Sequence, residues 1–202
     1  KGVFVIPKYR VDDLLWENGM VAGVKAGEEE IYAHVVVAAD GVLSFMGEKA
    51  GLKPKMSPHN YAVGIKEIIE LPEEKINDRF NVDAGEGVAH LFLGEVTKGL
   101  FGGGFLYTNK ESVSLGIVVG IKALMESKQN IEAHVLMDMF KDRYELRTLI
   151  KDGGLSEYSA HVIPEGGFDG ISKLYGNGIL LTGDAAGFAL NMGVTVRGME
   201  FA

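Results

Sequence analysis

Cysteine is missing from all 202 residues. That excludes a disulfide framework, a redox dithiol and a cysteine-ligated iron–sulfur cluster within this chain. Basic runs are missing too: 20 Lys and Arg stand against 28 Asp and Glu, giving a net charge of −8 and a pI near 5.2. Nucleic acid is therefore no expected partner, because phosphates require clustered Lys and Arg. The apolar runs fall far short of the ~20 residues of a membrane helix, so no transmembrane segment is expected, and no signal peptide is visible. The histidines His34, His59, His90 and His134 are scattered without metal-ligand spacing, so no metal site is read.

What remains is the composition of a folded protein. Hydrophobic residues make up 47% and charged residues 24%, enough apolar material for a sizeable core. Glycine is in excess, with 28 positions, and it is clustered without a repeat, which points to special turns and close backbone approaches. The chain opens inside a strand-like pattern at Val3–Ile6 and stops inside a helical one at Gly198–Ala202. It is expected to be an internal piece of a longer protein.

Short strands are predicted at Val3–Ile6, Val11–Trp16, Met20–Ala26 and Ile31–Ala33, with Asn18-Gly19 as a hairpin turn. The continuous apolar run His34–Ala39 suits a strand covered on both faces. Asp40-Gly41 ends it, Ser44 can cap a short helix, and Gly51 can close that helix. Two prolines near Lys53–Pro58 mark a boundary. Residues 1–53 and 173–202 are read as parts of one α/β domain, and residues 54–172 as a β-rich domain between them. In that second domain, Tyr61–Leu71, Val88–Leu93, Leu100–Leu106, Val113–Val119 and Leu155–Ile163 read as strands. Asn130–Phe140 reads as a helix with Ile131, Val135, Leu136, Met139 and Phe140 on one face.

The densest chemistry lies at Gly178–Phe188. A buried strand, Ile179–Leu181, runs into Gly183-Asp184 and then into Ala185, Ala186 and Gly187, which are expected to open a helix. Gly183 permits a sharp turn. Asp184 is a fixed acceptor for sugar-like hydroxyls, and the small residues leave the first helical N–H groups open to a diphosphate. An ordinary strand-to-helix turn with an Asp cap would use the same residues. The polar, glycine-broken stretch Asn191–Met199 then interrupts an apolar pattern, a costly arrangement unless it meets a ligand.

The string GDAAGFALNMGVTVRGMEFA resembles the flavin-binding segment of FixC-type proteins, bacterial relatives of electron-transfer-flavoprotein:quinone oxidoreductase. So do RVDDLLWENGMVAGVKAG, VVVAADGVLSFMGEKAGL, GGGFLYTNKESVSLGIVVG and EYSAHVIPEGGF, in the same order and over nearly the whole chain. The resemblance implies an α/β class: an FAD/NAD(P)-binding two-dinucleotide-type fold with an α+β substrate domain built on a mixed, largely antiparallel sheet. Its N-terminal G-x-G-x-x-G unit has no match here, since Gly102-Gly103-Gly104 is not one. An isolated piece is therefore expected to hold FAD weakly or not at all.

By the same resemblance, Asp40 and Gly41 form a second turn against the cofactor. Gly183, Asp184, Ala185, Ala186 and Gly187 meet the ribityl chain and diphosphate, and Asn191, Gly193 and Thr195 lie near the flavin ring, where Arg197 can add positive charge. Gly102 and Gly103 match the strand beside a quinone ring, with Phe101, Phe105 and Tyr107 as apolar walls. His161, in a segment with Glu165, is a candidate proton relay.

The implied partners are an electron-transfer flavoprotein as donor and a quinone or a ferredoxin-like protein as acceptor. A cytoplasmic setting, peripheral to the inner face of the cell membrane, goes with them. Two other readings stand beside this one: a geranylgeranyl-reductase-like enzyme that reduces prenyl lipids, and a flavin-free interaction module.

Overall fold

The computed structural model describes residues 2–192 and 196–201. In chain order, β1 (Asp13–Glu17), β2 (Met20–Ala26) and β3 (Glu29–Tyr32) form an antiparallel sheet. Asn18 and Gly19 both adopt positive φ in the first turn, as a two-residue hairpin loop demands. Next come β4 (Val36–Ala38) and α1 (Phe45–Lys49). The middle of the chain holds β5 (Tyr61–Glu70), α2 (Glu73–Phe80), β6 (Ala89–Phe92), β7 (Gly102–Thr108) and β8 (Ser112–Gly120). It continues with α3 (Ile121–Glu126), α4 (Ala133–Lys141), α5 (Tyr144–Leu149) and β9 (Gly154–Pro164). Short strands β10 (Tyr175–Gly176), β11 (Ile179–Leu181), β12 (Leu190–Asn191) and β13 (Val196–Arg197) complete it.

Two compact units result: residues 1–56 with 164–202, and residues 57–163. These divisions fall after Met56 and Ile163, where the sequence placed them after Lys53 and Ser172.

In the first unit, β11 pairs parallel with β4, matching Ile179 to Val36, Leu180 to Val37 and Leu181 to Ala38. The core beneath holds Leu14, Val21, Met46, Leu52, Ile179 and Leu181. The expectation that β4 is covered on both faces is corrected. Ala38 is buried, but Val37 is 58% exposed and its ladder partner Leu180 is 44% exposed. One face alone is packed, so burial alternates with the pleat. Val3–Ile6 is not a strand either. Among the described residues it has no ladder partner, and a lone strand is not stable in water.

The second unit is a five-stranded sheet in the order β6-β7-β8-β5-β9, antiparallel from β6 through to β5. Ile65, Ile69, Leu115 and Ile117 of the sheet share one core with Ile76, Leu136, Met137, Phe140 and Leu146 of the helices. The apolar stripe of α4 is rotated from the expected one. The helix starts at Ala133, and the spacing 133, 136, 137, 140 buries Leu136, Met137 and Phe140, leaving Val135 and Met139 partly exposed. Gly104 makes room for the Phe140 ring: a Cβ there would lie 2.8 Å from Cε1.

Candidate functional site

Parallel pairing brings two of the sequence-predicted turns to one edge. Asp40-Gly41 follows β4 and Gly183-Asp184 follows β11, so both leave the carboxyl ends of neighbouring parallel strands. Ligands of open α/β sheets gather at that edge. Gly41 (φ 76) and Gly183 (φ 61) take conformations that favour glycine, and no heavy atom lies within 4 Å of the place a Cβ would occupy at either. Asp184 is exposed. Backbone open to close approach, beside an exposed carboxylate acceptor, is a donor and acceptor set that fits a polyol–diphosphate linker.

Local folding departs from the sequence reading in two ways. Ser44 occupies the first cap position of α1 but adopts φ 44 and makes no side-chain cap bond; its buried hydroxyl has no partner among the described residues. Asp40 caps instead, its Oδ2 accepting from the Met46 N–H at 2.9 Å. The left-handed Ser44 makes no cap bond, and the Asp40 carboxylate reaches the helix start in its place. The second correction concerns the helix expected after Asp184. It is a single 3-10 turn, Gly183–Ala186, closed by left-handed Gly187, and a small β12–β13 hairpin follows. Gly187 packs so tightly on the Gly170 carbonyl that a Cβ would lie 2.5 Å from it. The N–H groups of Gly187 and Phe188 are spent on the carbonyls of Asp184 and Gly183, at 3.1 Å each. Gly183 and Asp184 open the turn, where N–H groups have no acceptor within it. Ala185 and Ala186 are fully buried and serve as packing.

One residue at this edge escaped the sequence reading. Lys53 donates through Nζ to the Val42 carbonyl and is half-buried. Burial pulls its ammonium below the ordinary lysine range, while the neighbouring carboxylates of Asp40, Asp184 and Glu48 push it back up. Its position in sequence, between a helix end and a proline linker, gave no signal of this.

The second cluster lies on the sheet of the other unit, on the face away from the helices. Residues directly opposite in a ladder share a face. Leu91 pairs with Phe105, Phe105 with Gly116, Gly103 with Val118, and Val118 with Gly64. Phe105 and Tyr107 stack with centroids 5.9 Å apart and ring planes at 15°. A Cβ on Gly64 would lie 2.7 Å from Ile163 Cδ1, so Ile163 faces the same way, and alternation sets exposed His161 beside it. Gly103, Phe105, Tyr107 and His161 therefore share one sheet face. Phe101 (60% exposed) and Leu91 (54% exposed) add apolar surface without a covering element in this unit. Gly102 has φ 148, and a side chain there would collide with the Val118 carbonyl.

Of the remaining candidates, Glu165 is half-buried, and burial pushes its carboxyl above the usual range. Arg197 is exposed and lies 3.6 Å from Glu200, so its charge is already matched. Asn191 lies in β12. Gly193 and Thr195 lie outside the described residues. Among the described residues there is no cluster of acidic or histidine side chains able to hold a metal, and no helix long and apolar enough to cross a membrane.

A family described as ETF-QO, ubiquinone-binding, matches residues 61–163, half of the chain. The chain belongs to that family. It is 48% identical over 201 residues to a probable electron transfer flavoprotein-quinone oxidoreductase, YdiS, and 45% identical to Protein FixC, both of Escherichia coli strain K12. All of this chain is covered in each case, but only 46% of either relative. The chain thus spans about half the length of these two relatives.

Among solved structures it is similar to a geranylgeranyl bacteriochlorophyll reductase-like protein of Thermoplasma acidophilum, with a TM-score of 0.66, 22% identity, and coverage of 87% of this chain and 41% of that one. A myxobacterial FAD-dependent halogenase gives a TM-score of 0.59 at 19% identity, covering 92% of this chain and 41% of that one. The shared fold is the mixed α/β architecture with a largely antiparallel substrate-type sheet.

Proposed function

We propose that this chain supplies the flavin edge and the quinone-type sheet of an FAD-dependent oxidoreductase of the FixC type. Electrons would arrive from an electron-transfer flavoprotein and leave to a quinone or a ferredoxin-like acceptor. The observation that carries the reading is the parallel β4–β11 pair, whose two Gly/Asp turns open at one edge. The names of the relatives support the same role.

The residues divide the work by unit. Asp184 accepts hydrogen bonds from ribityl hydroxyls, and bare backbone at Gly41 and Gly183 lets the linker lie close. Asp40 keeps one oxygen on Met46 and so holds its own turn in shape. When bound, FAD supplies reversible electron transfer, and the protein supplies position, local charge and exclusion of water. On the sheet, the Gly103 backbone can meet a flat ring edge-on, with Phe105 and Tyr107 as its apolar walls. His161, on the same face, can hold or release the proton that accompanies electron transfer.

The same aromatic face would also suit a prenyl chain, which keeps the prenyl-lipid reductase as the second reading. The test uses the full-length gene product under anaerobic conditions. Reduced electron-transfer flavoprotein should bleach the flavin absorbance, and a short-chain quinone should restore it. Reduction of a prenyl lipid with no response to the electron-transfer flavoprotein would favour the second reading. A colourless protein that takes up no FAD would leave an interaction module.

A further inference from the structure

We propose that Lys53 is a positioning residue for the flavin diphosphate: its ammonium fastens the turn after Asp40 and offsets the negative charge that Asp40 and Asp184 place at the shared strand edge. This inference rests on the flavin reading above and deepens it.

Lys53 is anchored at its backbone and at its side chain. Its backbone N–H donates to the Gly47 carbonyl at 3.2 Å, and that of Leu52 does so at 3.0 Å. Leu52 is buried in the core of the unit, and its carbonyl accepts from the Lys173 N–H at 3.1 Å. The side chain therefore starts from a fixed point. It ends on the Val42 carbonyl, two residues past Asp40.

Charge gives that placement a purpose. Three carboxylates act on the ammonium: Asp40 after β4, Asp184 after β11 and Glu48 on α1. A diphosphate approaching the two carboxylates would be repelled. A compact, partly desolvated cation on the turn after β4 reduces that repulsion, and its effect is larger there than at a fully hydrated surface site. A half-buried lysine is costly to hold charged, and burial does depress its proton affinity.

The test uses the full-length gene product, stripped of flavin and titrated with FAD while flavin fluorescence is followed. Lys53→Gln should weaken FAD binding by about tenfold and flatten its dependence on ionic strength. Wild type should lose affinity as pH rises toward the ordinary lysine range, because the half-buried ammonium deprotonates below it. Lys53→Arg, which stays charged, should keep its affinity over that range. A role limited to tying the turn would move thermal stability but neither the salt nor the pH profile of binding. If wild type binds FAD and Lys53→Gln binds it equally well, or if Lys53→Arg shows the wild-type alkaline loss, the inference is wrong. If wild type binds no FAD at all, the flavin reading itself fails and the inference falls with it.

Discussion

Thr182 donates its backbone N–H to the carbonyl of Ala38 across 3.1 Å. That bond extends the β4–β11 ladder by one step past the last paired residues, Leu181 and Ala38. It fixes the two following turns, Asp40-Gly41 and Gly183-Asp184, at a common edge although 143 positions separate Asp40 from Gly183 in numbering terms. Everything proposed about the flavin depends on that adjacency.

Close packing of the sheet on α4 predicts a costly substitution. At Gly104→Ala the new methyl would press on the Phe140 ring, 2.8 Å from Cε1, in a core with no slack. Overpacking of this kind costs about 1–3 kcal/mol. Urea unfolding should show a lower midpoint with an unchanged slope.

A buried ion pair predicts alkaline sensitivity. Glu67 is 5% exposed and accepts from Lys141 Nζ at 2.8 Å, and Asp138 lies 3.1 Å from the same nitrogen. Burial alone would lower the Lys141 ammonium, but the bonds to Glu67 and Asp138 outweigh it and the net direction is upward. A cation with a raised native value stabilises fully below the ordinary lysine range, and its contribution is lost as pH climbs through the native value. The melting temperature of wild type should therefore fall above pH ~10.5. Lys141→Met, which leaves Glu67 buried without a partner, should cost about 2 kcal/mol at neutral pH, less than a fully buried pair because Lys141 is partly solvated.

Glu165 predicts the same direction in a lower pH window, but here the ionised form is the one that folding penalises. Burial raises its carboxyl in the folded chain, so folding favours the protonated form and stability falls as pH rises from the ordinary glutamate range through the native value. Glu165→Gln should raise the melting temperature at pH ~7 and change it little at pH ~4, below both values. Calorimetry of both forms at the two pH values checks this.

Much of this architecture could be read from sequence because its signals are local. The Asn18-Gly19 hairpin, the strand that ends in Gly183-Asp184 and the alternating strands of the second unit each carry their own turn chemistry. Three features could not be read that way. Ser44 has the residue type of a cap, yet its left-handed backbone hands the cap to Asp40, six residues before the amide that it serves. The helical look of the segment after Asp184 gives way to a 3-10 turn because Gly187 must lie against Gly170, a tertiary contact. Lys53 joins the site only because β4 and β11 are neighbours in space, and no spacing in the chain encodes that.

The most direct test of the central claim is the FAD affinity of Asp184→Ala in the full-length gene product, measured beside its thermal stability. Asp184 is exposed, so its loss should leave unfolding nearly unchanged, within about 0.5 kcal/mol. The strand-edge account predicts stoichiometric flavin in wild type and an affinity lower by about tenfold in the variant, the cost of one charge-assisted hydrogen-bond acceptor. A variant that retains its flavin with wild-type affinity would contradict it.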